Sequence, residues 1–233
     1  MLVMMNFAEK VLRFNQSLFL DNDILPPGVK AMNPFQDEQV QKITGEFYRK
    51  FFSDKENRHM IIGINPGRFG GGVTGIPFTD PHKLQNYCGI MLEKLSAPEL
   101  SSDFVYKVID AFGGTDKFYR KFFVTALSPL GFVMKKNGKE VNYNYYDSKE
   151  LQETVRNFII DTLTRQIDFG INRDVCFCLG TGKNFDYLTK LNHNHQFFKT
   201  IIPLDHPRFI MQYRRKKMNE YISKYLDAFN NVK

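Results

Sequence analysis

Apolar positions along the 233-residue chain fall into two spacings. Four short continuous runs predict strands buried on both faces: Met60-Ile61-Ile62-Gly63-Ile64, Phe122-Phe123-Val124-Thr125-Ala126-Leu127, Val175 to Leu179, and Phe197 to Pro203. Between them apolar residues recur every three or four positions, the period of a helix with one buried face. Val40, Ile43, Phe47 and Phe51 predict a helix opened by Asn33-Pro34, an N-cap followed by a proline at the first helical position. Leu84, Tyr87, Cys88, Met91, Leu92 and Leu95 predict a second, opened by Asp80-Pro81, and Leu151, Val155, Phe158, Ile159 and Leu163 a third. A helix is expected after Gly180-Thr181-Gly182, and Met218, Tyr221, Ile222, Tyr225, Leu226 and Phe229 mark a closing one. Asn65 to Thr79, rich in glycine and proline, reads as a loop, and Lys135 to Tyr146 as a surface excursion.

Strands alternating with helices predict an α/β fold, a mainly parallel sheet covered on both faces. One domain, residues 1–233, is expected, with no internal repeat. In such sheets the working loops leave the carboxyl ends of the strands. The loops after Ile64, Leu127, Leu179 and Pro203 should therefore share one rim, bringing Asn65, Ser128, Gly180 and His206 near each other.

Composition narrows the class. With 42% hydrophobic and 24% charged residues the chain is an ordinary folded protein, neither disordered nor fibrous. No apolar run is long enough for a membrane-spanning helix, and Met1 to Lys10 gives no secretion signal, so a cytoplasmic location without membrane association is expected. Cys88, Cys176 and Cys178 are an odd set, two of them in an apolar run, which argues for a reducing compartment rather than a disulfide framework. They are too few for a four-cysteine metal site. The net charge of +7 is uneven: His206 to Lys233 carries seven basic and two acidic residues, leaving only +2 on the other 205. Such clustering suits a polyanionic partner on one face, or else a solvated helix with no partner.

Four stretches could carry chemistry. Gly63-Ile64-Asn65-Pro66-Gly67-Arg68-Phe69-Gly70-Gly71-Gly72 matches neither the P-loop nor Gly-x-Gly-x-x-Gly, and taken alone is a tight turn after a strand. Gly180-Thr181-Gly182-Lys183 is either a plain turn or a helix N-terminus whose free N–H groups and lysine suit a backbone phosphate. Asp205-His206-Pro207-Arg208 follows a strand, so His206 should sit on the rim with Asn65. His59, His82, His193 and His195 are expected at the surface. Phe209-Ile210-Met211-Gln212-Tyr213-Arg214-Arg215 mixes apolar and basic residues in what should be an exposed loop. Such a segment can insert between bases while arginines hold phosphates, or Ile210 and Met211 can simply begin a core face. No spacing of His, Asp or Glu suggests a metal, and no cofactor is expected.

Gly63 to Gly70, followed by Thr74-Gly75-Ile76-Pro77-Phe78, resembles the first active-site motif of the single-strand-selective monofunctional (SMUG-type) uracil-DNA glycosylases, including the spacing from Asn65 to Phe78. His206-Pro207 is similar to the second motif, and Leu25-Pro26-Pro27-Gly28 to Asn33-Pro34 and Val124 to Leu130 resemble the same family, closest to its bacterial SMUG-like branch. The resemblance implies a three-layer α/β/α sandwich on a short, mainly parallel sheet, and water attack on a flipped nucleotide in DNA. It implies that Asn65 holds the water, that Phe78 stacks on the base, and that backbone groups near Ile64, Gly67 and Phe78 line the pocket. His206 would then hydrogen-bond the 2-carbonyl oxygen of the leaving base, and the segment from Arg208 and Phe209 onward would wedge or grip the strand.

Three departures stand out. Ala126 occupies the position where the family commonly reads the base edge with an asparagine, so Thr125, Ser128 or a backbone amide would take over. Arg68 stands where the animal enzymes have proline, and His206-Pro207 runs directly into Arg208 without a Ser-Pro insertion. The expected partner is DNA, single-stranded or mismatched and containing uracil, touched by Gly182, Lys183, Arg208, Phe209, Arg214 and Arg215, with the protein a monomer. Excision of xanthine or hypoxanthine, or non-catalytic nucleic-acid binding on the same scaffold, are the alternatives. No lysine sits in the motifs that carry the resemblance as an imine-forming nucleophile, so no strand cleavage is expected.

Overall fold

The computed structural model describes residues 5–92 and 99–232. In chain order its elements begin α1 (Phe7–Gln16), β1 (Val29–Met32), α2 (Glu38–Phe52), β2 (Arg58–Gly63), α3 (Gly71–Thr74), α4 (Pro81–Cys88), α5 (Leu100–Phe112) and α6 (Thr115–Lys121). They continue β3 (Phe122–Ala126), β4 (Gly131–Lys136), β5 (Lys139–Tyr143), α7 (Lys149–Thr154), α8 (Arg156–Ile167), β6 (Ile171–Leu179), α9 (Lys183–His195), β7 (Thr200–Leu204), α10 (Pro207–Tyr213) and α11 (Met218–Asn230).

The four apolar runs become β2, β3, β6 and β7, parallel throughout in the order β3-β2-β6-β7. Successive strand residues face opposite sides, and each side meets its own helices. On one, Phe122, Val124, Ile61 and Phe177 pack on α5 and α11 through Val105, Val108, Phe112 and Phe229. On the other, Phe123 meets Phe7 of α1, and Thr125 bonds Gln166 of α8. This is a three-layer α/β/α arrangement in which each buried aromatic ring contributes about 1.5–3 kcal/mol. Arg58, fully buried at the start of β2, pairs with Asp54 (2.8 Å) and donates to Tyr119 O, and the guanidinium holds the Asp54 carboxyl below its usual range.

Several expectations need correcting. Asn33 does accept from Phe35 N–H, but it caps a single turn; Asp37, accepting from Gln39 and Val40 N–H, starts α2. The helix opened by Asp80 ends at Cys88, so Met91 and Leu92 fall outside it, and Leu95 lies outside the described residues. The segment Leu151 to Leu163 is two helices divided at Val155. The loop Asn65 to Thr79 contains the helical turn α3. His59 is buried within β2, with Nδ1 3.2 Å from Val175 O, and His82 is half-buried; His193 and His195 are exposed.

Two corrections bear on function. Lys135 to Tyr146 is no loose excursion: β4 and β5 form a hairpin joined to β1 in an antiparallel sheet of order β1-β4-β5. Its turn is Asn137-Gly138, both at positive φ (50° and 75°), the pairing that a tight two-residue hairpin demands. And the expected exposed loop after His206 is the helix α10, with Ile210 and Met211 in the core.

Candidate active site

Parallel strands put their carboxyl ends on one edge, and the loops leaving that edge are tied together. Leu127 and Ser128 N–H, after β3, donate to Gly63 O and Ile64 O after β2 (3.0 and 3.1 Å). Gly180 N–H, after β6, donates to Leu204 O at the end of β7 (2.7 Å). A cleft of about 860 Å³ opens on this edge, lined by Ile64, Asn65, Gly67, Phe78, His206, Arg208 and Phe209.

The Asn65 amide is held at both ends by the last residue of β5 and the strap that follows it. Its Oδ1 accepts from Tyr145 N–H (3.0 Å), and its Nδ2 donates to Tyr143 O (3.2 Å) and Pro66 O (3.3 Å). That fixes which end is oxygen and leaves Oδ1 a second lone pair. The strap is itself anchored: the Tyr145 hydroxyl, fully buried, donates to Asn184 Oδ1 (2.9 Å), and Asn184 Nδ2 donates to Leu179 O (3.1 Å) and Gly63 O (3.4 Å). One network thus joins the ends of β2 and β6 to the amide.

His206 is the N-cap of α10, and its Nδ1 accepts from Arg208 N–H (3.2 Å). A backbone N–H can only donate, so Nδ1 carries no proton and Nε2 does. Burial, and secondarily the Arg208 charge, depresses the imidazole to about 4, which agrees with a neutral ring. The Phe78 ring lies 5.8 Å from the His206 ring, centroid to centroid. Phe78 has φ of 53°, a left-handed backbone that costs a bulky residue about 1–3 kcal/mol. Thr74 Oγ1 donating to Thr79 O (2.7 Å) and Thr79 N–H donating to Ile76 O (3.2 Å) enforce the turn. The ring lies so close over Gly63 that a Cβ there would come within 2.8 Å of it.

Other candidates sit elsewhere. Thr125 is buried, its hydroxyl given to Gln166 Oε1 (2.5 Å), and with Ala126 it borders a separate space of about 30 Å³ behind Pro66 and Pro77. Ser128 is buried, its hydroxyl given to Leu130 O (2.8 Å). These three do not line the cleft. Gly182 and Lys183 are exposed at the start of α9, with Lys183 Nζ 5.7 Å from the ring of Tyr146, a cleft residue. Arg214 and Arg215 lie on an adjoining exposed face at the end of α10, with Arg214 over the Phe209 ring (5.4 Å). Phe209 and Tyr213 project from α10 into solvent.

Sequence reasoning missed the opposite wall. Asn142 Oδ1 accepts from Arg68 N–H (2.9 Å), and Asn142, Asn144 and Tyr146 line the cleft. The Asn137-Gly138 pair was the signal that could have found this hairpin. Glu99, at the start of α5, also lines the cleft, and no spacing announces it.

The family model described as Uracil DNA glycosylase superfamily matches residues 50–230. The chain belongs to the uracil DNA glycosylase superfamily. Among solved structures it is similar to wild-type SMUG2 from Pedobacter heparinus, at 50% identity over 97% of this chain and 98% of that one, with a TM-score of 0.95. No curated protein matches it. The glycosylase is thus a SMUG-type enzyme acting on DNA, and among its described residues no helix is long and apolar enough to cross a membrane.

Proposed function

We propose that this glycosylase hydrolyses the N-glycosidic bond of uracil in DNA and leaves the phosphodiester strand intact. Water held by Asn65 Oδ1 adds to C1′ of the deoxyribose as the bond from C1′ to the base nitrogen breaks. The base departs with the electron pair, and the neutral His206 donates from Nε2 to its 2-carbonyl oxygen. The water's second proton passes to solvent or to the released base, which restores the enzyme. A fixed donor aimed at developing charge is worth about 2.7–4 kcal/mol of barrier. An amide orients water but is a weak base, so turnover is modest.

The observation that carries this reading is the meeting of Asn65, Phe78 and His206 on one cleft, with Nδ1 of His206 already occupied by a donor. Extruding a base costs a few kcal/mol, least for one unpaired or mismatched, and stacking on Phe78 returns roughly 1–3 kcal/mol. Single strands and mismatches are therefore the preferred substrates, and a monomer suffices. Incubation with a uracil-containing single strand should yield breaks at uracil only after alkali. An unbroken strand after alkali would overturn the reading.

One observation favours a second substrate class. Ala126 offers no polar side-chain atom, and the hydroxyls of Thr125 and Ser128 are turned to other partners. A cleft without the usual edge reader suits other deaminated bases, xanthine or hypoxanthine, and a panel of modified oligonucleotides separates the two.

A further inference from the structure

Buried polar atoms almost always have partners, so an orphan in a cleft calls for an explanation. Glu99 Oε2 is buried and has no hydrogen-bond partner among the described residues, although Glu99 lines the same cleft as Asn65, Phe78 and His206. The residue is not loosely placed. Its N–H donates to Asp80 Oδ2 (3.0 Å), and its carbonyl accepts from Ser102 Oγ (2.8 Å), which also donates to Asp80 Oδ2. Asp80 is in turn the N-cap of α4, accepting from Lys83 N–H (3.0 Å). The backbone of Glu99 is thus clamped while its carboxyl is left unspent. The loop after β2 makes room for it: a Cβ at Gly70 would overlap Oε2.

We propose that Glu99 is a further substrate-contacting residue, whose carboxyl, as the neutral acid, donates a hydrogen bond to a carbonyl oxygen of the extruded base. This rests on the glycosylase reading above and deepens it, since β3 presents no edge reader to the cleft. The surroundings favour the acid. Burial and the Asp80 charge raise the carboxyl to about 7, against the opposing pull of Arg208 on α10. Arg68, on the loop after β2, also lines the cleft, and its Nε has no hydrogen-bond partner among the described residues. A neutral acid also avoids the repulsion that a carboxylate would meet beside DNA phosphates.

Below about pH 7 the carboxyl holds its proton and donates; above it the donor is lost and a charge appears beside the base. The experiment compares wild type, Glu99→Gln and Glu99→Ala in single-turnover release of uracil, xanthine and hypoxanthine from a single strand between pH 5.5 and 8.5. Affinity for an uncleavable 2′-fluoro analogue strand and for an undamaged strand is measured alongside.

Wild-type release and analogue affinity should fall as pH rises through about 7. Glu99→Gln, which donates at every pH, should lose that limb and stay within about threefold of wild type at pH 6, while Glu99→Ala should lose at least about tenfold. Affinity for the undamaged strand should be unchanged in all three. Equal release by wild type and Glu99→Ala, a rate that rises with pH through 7, or a loss on undamaged DNA equal to that on the analogue would each overturn the proposal. If the wild type releases no base yet binds the analogue with the stated pH dependence, the catalytic reading fails and this contact stands. If it neither releases base nor prefers the analogue, both fall.

Discussion

The chain leaves β2 and β3 side by side at the same edge of the sheet, and the two exits are put to opposite uses. After β2, Ile64, Asn65 and Gly67 open onto the cleft, and the one polar side chain among them is held by backbone groups from across the site. At the end of β3 and just beyond it, the polar groups of Thr125 and Ser128 are consumed internally, by Gln166 and by Leu130 O. Both stretches satisfy the rule that working residues lie at carboxyl ends of parallel strands. The rule selects an edge; where each side chain's hydrogen bonds go decides which exit can do chemistry.

The contrast is broken most directly by removing side chains from each exit. Asn65→Ala and His206→Ala should each lower single-turnover base release by about 10²–10³, the usual cost of one water-orienting or charge-stabilising group. Thr125→Val should leave the rate per folded molecule unchanged and instead lower stability by about 1–3 kcal/mol, because Gln166 is left buried without its donor. Rapid-quench kinetics and urea melts on the same preparations distinguish the outcomes. A catalytic defect in Thr125→Val with normal stability would place the β3 exit in the reaction.

A contrast within α10 comes next in size. Its start carries His206 in the cleft, whereas its end carries Arg214 and Arg215 on an exposed face. Arg214→Ala with Arg215→Ala should weaken single-strand binding evenly across sequences and reduce the slope of log affinity against log salt by up to about 1.4, roughly 0.7 for each phosphate left without its arginine. An unaltered slope would remove this face from the interface.

How much of this could be read from residues alone follows from the range of the forces involved. The strands were legible because a strand buried on both faces must be apolar throughout. Asn65, Phe78 and His206 were legible because they sit in motifs whose spacing resembles a known family. The strap from Tyr143 to Tyr145 was not, because its role is played by backbone N–H and C=O groups, which every residue possesses. Glu99 was not, because its burial depends on Gly70, some thirty residues earlier, within the loop after β2. The segment after His206 looked like a loop because its apolar face, Ile210 and Met211, is too short to show a helical period.

The strap offers a smaller effect that tests whether the Asn65 amide must be held. Tyr145→Phe removes the hydroxyl that reaches Asn184 but keeps the backbone N–H that Asn65 accepts from. The amide then keeps its partner on a less rigid support, so kcat should fall about three- to tenfold with KM little changed. A change in KM alone would make the strap a binding element rather than a positioning one.

The smallest effect closes the comparison at the β3 exit. Ser128→Ala removes a buried hydroxyl whose hydrogen bond goes to Leu130 O, two residues on, within the turn that leads into β4. The carbonyl loses one partner in a place water cannot reach, so stability should fall by about 1 kcal/mol. The cleft should not notice, because the tie from Ser128 to Ile64 O is made by the backbone N–H, which alanine keeps. Equal rates with a lower urea midpoint would show that the turn after β3 serves the fold while the turn after β2 serves the reaction. A change in base preference without a change in midpoint would mean that the serine hydroxyl swings from Leu130 to the base once DNA is bound, and that the division between the two exits holds only for the free enzyme.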